Sequence, residues 1–118
     1  MKEDVKQLWV ASLKSGEFIQ GQQSLRSDDD KFCCLGTLCE LFLRHNPDTK
    51  LDWKKNEYGH YHFDGCNSVL PKSVREWAGL DECNPRVNDY AWSQKTLAAM
   101  NDAGCDFIKI AEVIEKNL

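Results

Sequence analysis

Cys33 and the two histidines His60 and His62 are the residues of this sequence that could form a nucleophilic catalytic pair. A thiol acts as a nucleophile when a nearby base or a helix amino terminus favours the thiolate. The run of acidic residues before Cys33 predicts that a helix begins there, and either histidine would follow on a later strand. A cysteine hydrolase or transferase is therefore one alternative. Neighbouring carboxylates oppose thiolate formation, and free cysteines are commonly buried, so we favour core packing for Cys33.

A zinc site is a second alternative, based on the same two histidines. His60 and His62 share one face of a predicted strand, and Cys66 follows closely. Tetrahedral zinc would need a fourth ligand, for which Cys83 and Cys34 are candidates. The sequence has no C-x-x-C pair, which structural zinc sites usually carry. We therefore expect no metal and no cofactor, and keep a zinc-stabilised interaction module as an alternative.

A third group of residues predicts a binding site, because polar and aromatic side chains occur together in expected loops. A guanidinium, two aromatic rings, an amide and a carboxylate would give a pocket a charged fork, stacking faces and directional hydrogen bonds. These candidates are Arg26, Tyr90, Trp92, Asn101 and Asp102. The competing interpretation is that Asn101 and Asp102 hydrogen-bond to the irregular loop at 81–92 and hold it in place.

A helix within residues 28–46 must position Cys33, and its pattern predicts that it is central. Apolar side chains recur at i, i+3, i+4 and i+7, and further leucines widen the apolar face. The residues of this face are Leu35, Leu38, Cys39 and Phe42. We expect Asp30 to cap its amino end, and Asn46-Pro47 to end it.

The remaining elements are predicted from periodicity and turn residues. An amphipathic helix over 3–14 ends at Gly16, and a β-hairpin over 50–65 points Tyr61 and Phe63 inward, with the histidines on its other face. A short helix ends at Gly79, and 80–92 is an irregular loop. Ser93 caps a helix that ends before Gly104, and Asp106 caps the last helix. The prediction is one α+β domain over 1–118, with about five helices around a central helix and one small hairpin.

Composition excludes several classes of protein. The 118 residues carry a net charge of −4, with 29% charged and 42% hydrophobic residues. Because the sequence lacks a basic stripe, we do not expect the protein to bind nucleic acid. The charged amino terminus is unlike a signal peptide, and no apolar run is long enough to span a membrane. We therefore expect a cytoplasmic protein in which the six cysteines are thiols.

Short motifs spread along the chain resemble those of a known family. They are C-C-L-G-x-L-C at 33–39, L-P at 70–71, W-A-G-L at 77–80, N-D-A-G at 101–104, and Phe107 followed by Ile110-Ala111. With these residues the chain resembles a family of small proteins common in phage and prophage genomes. The resemblance implies an origin in a phage or mobile element, and implies no particular chemistry.

These observations together predict a phage-type accessory protein that acts by binding. Its partner would be a host protein that it occludes or a small ligand that it sequesters, as in action against host defence. We do not expect catalysis, nucleic acid or membrane to be involved. The sequence leaves the oligomeric state open.

Overall fold

Five helices and two antiparallel pairs of strands form the described part of the chain, residues 1–88 and 95–118, in this computed structural model. The helices are α1 (Glu3–Ser15), α2 (Cys34–His45), α3 (Lys72–Ala78), α4 (Leu97–Asp102) and α5 (Phe107–Asn117). The strands are β1 (Trp53–Lys55), β2 (Tyr61–Phe63), β3 (Arg86–Val87) and β4 (Lys95–Thr96), with β1 paired to β2 and β3 to β4. The predicted α+β class and the hairpin are confirmed, and the second sheet was not predicted. None of these helices is long and apolar enough to cross a membrane.

Helix α2 is the centre of the core, as its apolar pattern predicted. Every residue from 34 to 39 is buried, and α1, α3 and α4 all pack against the helix. At its carboxyl end Phe42 meets Phe63 of β2 edge to face, with the ring centroids 6.1 Å apart. At its amino end the buried Trp9 of α1 donates from Nε1 to the carbonyl of Cys34 at 3.0 Å. Helix α2 therefore joins the hairpin to α1.

The start of α2 differs from the prediction. Asp30 does not cap the helix, which begins three residues later with Cys33 as its N-cap. The Sγ atom of Cys33 accepts a hydrogen bond from the amide of Gly36 at 3.4 Å. Asp30 instead lies in a turn with φ of 62°, and its carboxylate accepts from Arg26 Nη2 at 2.8 Å. The prediction was wrong because a cation outside the helix competes successfully for this carboxylate.

The segment before α2 lies directly against the helix at Gly36. A Cβ atom at this position would overlap the carbonyl oxygen of Leu25. The same carbonyl accepts from the amide of Cys33 at 3.3 Å, while the amide of Leu25 donates to the carbonyl of Asn67 at 2.7 Å. Glycine is therefore required at 36 for close backbone approach.

The carboxyl-terminal third of the chain also corrects the prediction. The expected helix over 94–103 begins only at Leu97, because Lys95 and Thr96 pair with Val87 and Arg86 as strands. Thr96 caps α4 through its Oγ1, which accepts from the amide of Ala99 at 3.2 Å. Ser93, the expected cap, lies outside the described residues.

Three other predicted helix boundaries are confirmed. Asp106 caps α5, with Oδ1 accepting from the amide of Lys109 at 2.9 Å. Gly16 and Gly79 end α1 and α3 in the left-handed conformation, as glycine commonly does after a helix.

We expect Gly36→Ala to destabilise the fold far more than Gly16→Ala. Gly16 has a φ of 78° and open space around it, so alanine there costs about 1–2 kcal/mol of backbone strain. At Gly36 the new methyl group meets rigid backbone, and overpacking of this kind costs about 3 kcal/mol or more. Urea unfolding of both variants measures the difference. Equal losses of unfolding free energy would show that the Leu25 segment moves away without cost.

Candidate functional site

The guanidinium of Arg26 is held in place by three aromatic rings and one carboxylate. Its central carbon lies 4.1 Å from the ring centroid of Tyr61, 5.5 Å from that of Phe32 and 5.6 Å from that of Trp53. Its Nη2 and Nε atoms donate to Oδ1 of Asp30 at 2.8 and 3.0 Å. Cation–π contacts and a charge-assisted pair both favour this arrangement. The contacts within the protein therefore hold the guanidinium of Arg26 in one position.

Beside Arg26 lies a polar cavity of about 270 Å³, which we call the Arg26 cavity. The loop before α2 forms one wall, and the turn and second strand of the β1–β2 hairpin form the other. Asn67 completes the lining. The lining residues are Ser24, Arg26, Ser27, Asp28, Asn56, His60, Tyr61 and Asn67. Small-molecule pockets span about 300–1,000 Å³, so this cavity suits a small ligand.

Hydrogen bonds join the two walls of the Arg26 cavity. Nδ1 of His60, on the hairpin, lies 3.2 Å from Oδ1 of Asp28, on the loop. Oδ1 of Asn56 accepts from the amides of Tyr58 and His60 at 2.9 and 3.0 Å, which holds the turn in shape. The bond from the amide of Leu25 to Asn67 ties the loop to the end of the hairpin unit.

Cys33 is a buried thiol, as the favoured interpretation of the sequence predicted. It is only 3% exposed, and burial raises the pKa of its thiol to about 11, although the backbone amides of Leu35 and Gly36 pull the pKa the other way. The negative charge of Asp102 raises the pKa further. The core packing favoured for Cys33 agrees with this burial, and desolvation exceeds the effect of the amides on the pKa of the thiol.

Cys33 and the histidines line different parts of the molecule. A second cavity of about 160 Å³, the Cys33 cavity, is lined by Gln23, Ser24, Cys33, Ser68, Val69, Asn84, Ala98 and Asp102. That lining contains no imidazole, and His60 lines the Arg26 cavity instead. His62 lies on β2 opposite Lys54. The described geometry therefore gives no support to a Cys33–His60 or Cys33–His62 pair.

The zinc alternative gains no support either. Across residues 1–88 and 95–118, no group of three or more histidine, cysteine, aspartate or glutamate side chains is arranged to hold a metal ion. His60 is paired with Asp28, while Cys66 is half-buried against the core. His60, His62 and Cys66 are close in the sequence, but the fold does not arrange them as a set of metal ligands.

Asn101 is fully buried and connects three parts of the chain. Its Oδ1 accepts from Nε2 of Gln20 at 2.9 Å and from the amide of Cys34 at 3.2 Å. Its Nδ2 donates to the carbonyl of Gly21 at 2.7 Å. Its neighbour Asp102 accepts from the amide of Gln23 at 2.8 Å. Among the described residues, both hold the 20–23 segment in place; the predicted contact with the loop at 81–92 falls partly on residues 89–92, which lie outside the described part of the chain.

The three predicted binding residues that the structure describes are thus separated. Arg26 lines the Arg26 cavity, Asp102 lines the Cys33 cavity, and Asn101 is in the core. Tyr90 and Trp92 lie outside the described residues. Ser24, Asn56 and Asn67 were not predicted as cavity residues, because isolated polar residues in turns carry no periodic signal.

A family model described as a domain of unknown function (DUF8296) matches residues 1–118. The chain belongs to the DUF8296 family. A search of curated proteins and a search of solved structures found no match. Both cavities lie within the matched residues.

The raised pKa of Cys33 predicts a loss of stability at alkaline pH. A thiol with a higher pKa in the folded chain stabilises the fold fully below its unfolded pKa, and this contribution is lost as the pH rises from 9.0 towards about 11. Two pKa units correspond to about 2–3 kcal/mol. Urea unfolding at several pH values should show a shallower decline in Cys33→Ala than in the wild type. Cys83→Ala, which removes an exposed thiol, should decline like the wild type.

We also expect Asn101→Ala to be strongly destabilising. It leaves the Cys34 amide and the Gly21 carbonyl without this partner, and each buried unsatisfied group costs about 1–3 kcal/mol. It also removes one of the two acceptors of Gln20 Nε2, which keeps its bond to the carbonyl of Cys105. The control is Asp102→Ala, at an exposed position whose carboxylate accepts from the amide of Gln23; the variant should cost about 1 kcal/mol. Chemical denaturation with hydrogen exchange at the Cys34 amide tests this. Similar losses in the two variants would contradict the role given to Asn101.

Proposed function

We propose that this DUF8296 domain is an accessory protein of phage or prophage origin that acts by binding a small polar molecule in the Arg26 cavity. The observation that carries the proposal is the combination, in one small cavity, of the fixed guanidinium of Arg26 with the carboxylate of Asp28. Binding sites orient small ligands with a few polar groups placed in advance. The proposed origin rests on the C-C-L-G-x-L-C segment and the other motifs of the sequence.

Uncharged polar groups in the cavity supply further contacts for a ligand. The hydroxyl of Ser24 and the amide of Asn67 line it, and within residues 1–88 and 95–118 neither side chain has a hydrogen-bond partner. Both can therefore bond to a ligand without breaking a contact inside the protein. The hydroxyl of Ser27, by contrast, donates to Oδ1 of Asp29 at 2.5 Å.

Binding accounts for the site better than catalysis does. The thiol of Cys33 is protonated at neutral pH, because burial raises its pKa to about 11. The imidazole of His60 faces a carboxylate, not a thiol. A protein that holds a small host molecule lowers its free concentration, and this is the counter-defence role that we propose.

A host-protein partner has less support than a small ligand. The large exposed hydrophobic side chains of the described residues are Ile19, Tyr58 and Ile108. They lie on a loop, on the hairpin turn and on α5, and isolated exposed apolar residues are ordinary on protein surfaces. They do not define a docking surface.

Dialysis against a small-molecule extract of bacterial cells, followed by native mass spectrometry, tests the proposal. We expect the wild type to retain a polar compound. Asn67→Leu should retain it about tenfold more weakly, a loss of about 1.4 kcal/mol, because the variant replaces a polar contact by an apolar group. Gln7→Leu makes the same change at an exposed position on α1 and should bind like the wild type.

Two outcomes would contradict the proposal. One is that the wild type retains no small molecule. The other is equal retention by Asn67→Leu, which would locate the binding outside the Arg26 cavity. Matching amide NMR spectra of the three proteins would show that each variant is folded.

A further inference from the structure

The loop wall of the Arg26 cavity presents both a positive and a negative charge to a ligand. Arg26 and Asp28 both line it, and the side chain of Asp28 is 54% exposed while that of Arg26 is 21% exposed. Both charged groups are therefore open to a bound molecule. Resting on the proposed function, we infer that the ligand is a small zwitterion of the amino-acid class, with its carboxylate on Arg26 and its ammonium group on Asp28.

The guanidinium of Arg26 retains donors for a carboxylate. Asp30 occupies Nε and Nη2 through a single oxygen, Oδ1, and within residues 1–88 and 95–118 no acceptor contacts Nη1. Tyr61, 4.1 Å from the guanidinium carbon, fixes the plane of the group. A planar fork with free N–H groups is suited to carboxylate binding.

The carboxylate of Asp28 retains capacity for an ammonium group. His60 Nδ1 is its one side-chain partner among the described residues, at 3.2 Å from both oxygens. A carboxylate has about four lone-pair sites, so several acceptor positions stay open. An ammonium group brings three donors and a full positive charge.

Local charge favours a zwitterion over a simple ion. A purely anionic ligand on Arg26 would be attracted by the guanidinium but repelled by the carboxylate of Asp28 and by that of Asp30, which is paired with Arg26. A purely cationic ligand would meet Asp28 but also the guanidinium. A molecule with both charges can place an opposite charge against both Arg26 and Asp28, whereas a simple ion makes one favourable contact and one like-charge contact.

The size and the neutral lining agree with this class. About 270 Å³ is below the usual range of pockets for drug-sized molecules. The hydroxyl of Ser24 and the amide of Asn67 can bond to a polar side chain of the ligand. A free amino acid or a molecule of similar size and charge fits both observations.

Titration of the ¹⁵N-labelled wild-type protein with each standard L-amino acid, followed by amide NMR, tests the inference. We expect at least one amino acid to shift the amides of Ser24, Asp28 and Asn67 in a saturable way. Its deaminated analogue, which keeps only the carboxylate, and its decarboxylated analogue, which keeps only the ammonium group, should each bind about tenfold more weakly or worse. For L-serine these analogues are 3-hydroxypropionate and ethanolamine.

Charge variants separate the two contacts. Asp28→Asn should lower the affinity for the amino acid to that for its deaminated analogue. The affinity for the deaminated analogue itself should stay unchanged or rise. Arg26→Gln should remove the preference for the amino acid over its decarboxylated analogue, because the partner of the carboxylate is lost. The control Asp81→Asn makes the same charge change as Asp28→Asn, but at an exposed position outside both cavities. It should leave every affinity unchanged.

The results distinguish this inference from the proposed function. One outcome is that the dialysis experiment retains a compound that is uncharged or carries a single charge, while no amino acid shifts the cavity amides. The zwitterion class is then wrong, and the proposed binding role survives. Equal binding of an amino acid and one of its analogues also overturns the class. If neither experiment detects a ligand at Ser24, Asp28 or Asn67, both proposals are wrong.

Discussion

The close approach of the Leu25 carbonyl to the first turn of α2 is the contact on which the rest of this structure depends. It requires glycine at 36, where any larger residue would push the segment away from the helix. The same carbonyl accepts from the amide of Cys33, so the segment also satisfies part of the helix terminus. Because Leu25 is fixed there, its neighbours Ser24 and Arg26 are fixed as well, and both line the cavity beside the hairpin.

A chain of further contacts keeps that segment in register. Asn101 hydrogen-bonds to Gln20, Gly21 and the amide of Cys34, so α4 holds both the loop and the start of α2. On the other side, Asn67 accepts from the amide of Leu25. Buried amides that satisfy all their partners give a loop a single conformation, which is what a preformed binding site needs.

The cysteines of α2 illustrate how burial decides chemistry. Cys33, Cys34 and Cys39 are all at most 3% exposed, and burial raises the pKa of each thiol. Cys33 uses its sulfur to cap the helix, and the thiol of Cys34 donates to the carbonyl of Leu97 at 3.6 Å. These sulfurs fill space and bond to backbone. The charged side chains of the loop and hairpin, by contrast, stay partly open to solvent.

The sequence by itself determined the α+β class, the central position of α2, the β1–β2 hairpin, and the boundaries at Gly16, Gly79 and Asp106. These features depend on local periodicity, turn residues and caps, which a short stretch of chain encodes. Tertiary structure alone decided that Asp30 pairs with Arg26 and that Lys95 and Thr96 join a strand pair. It also decided that Asn67 and Ser24 share a cavity with Asp28. The physical reason is that each of these outcomes is a competition between local preference and a partner distant in the chain, and only the packed fold brings that partner within reach.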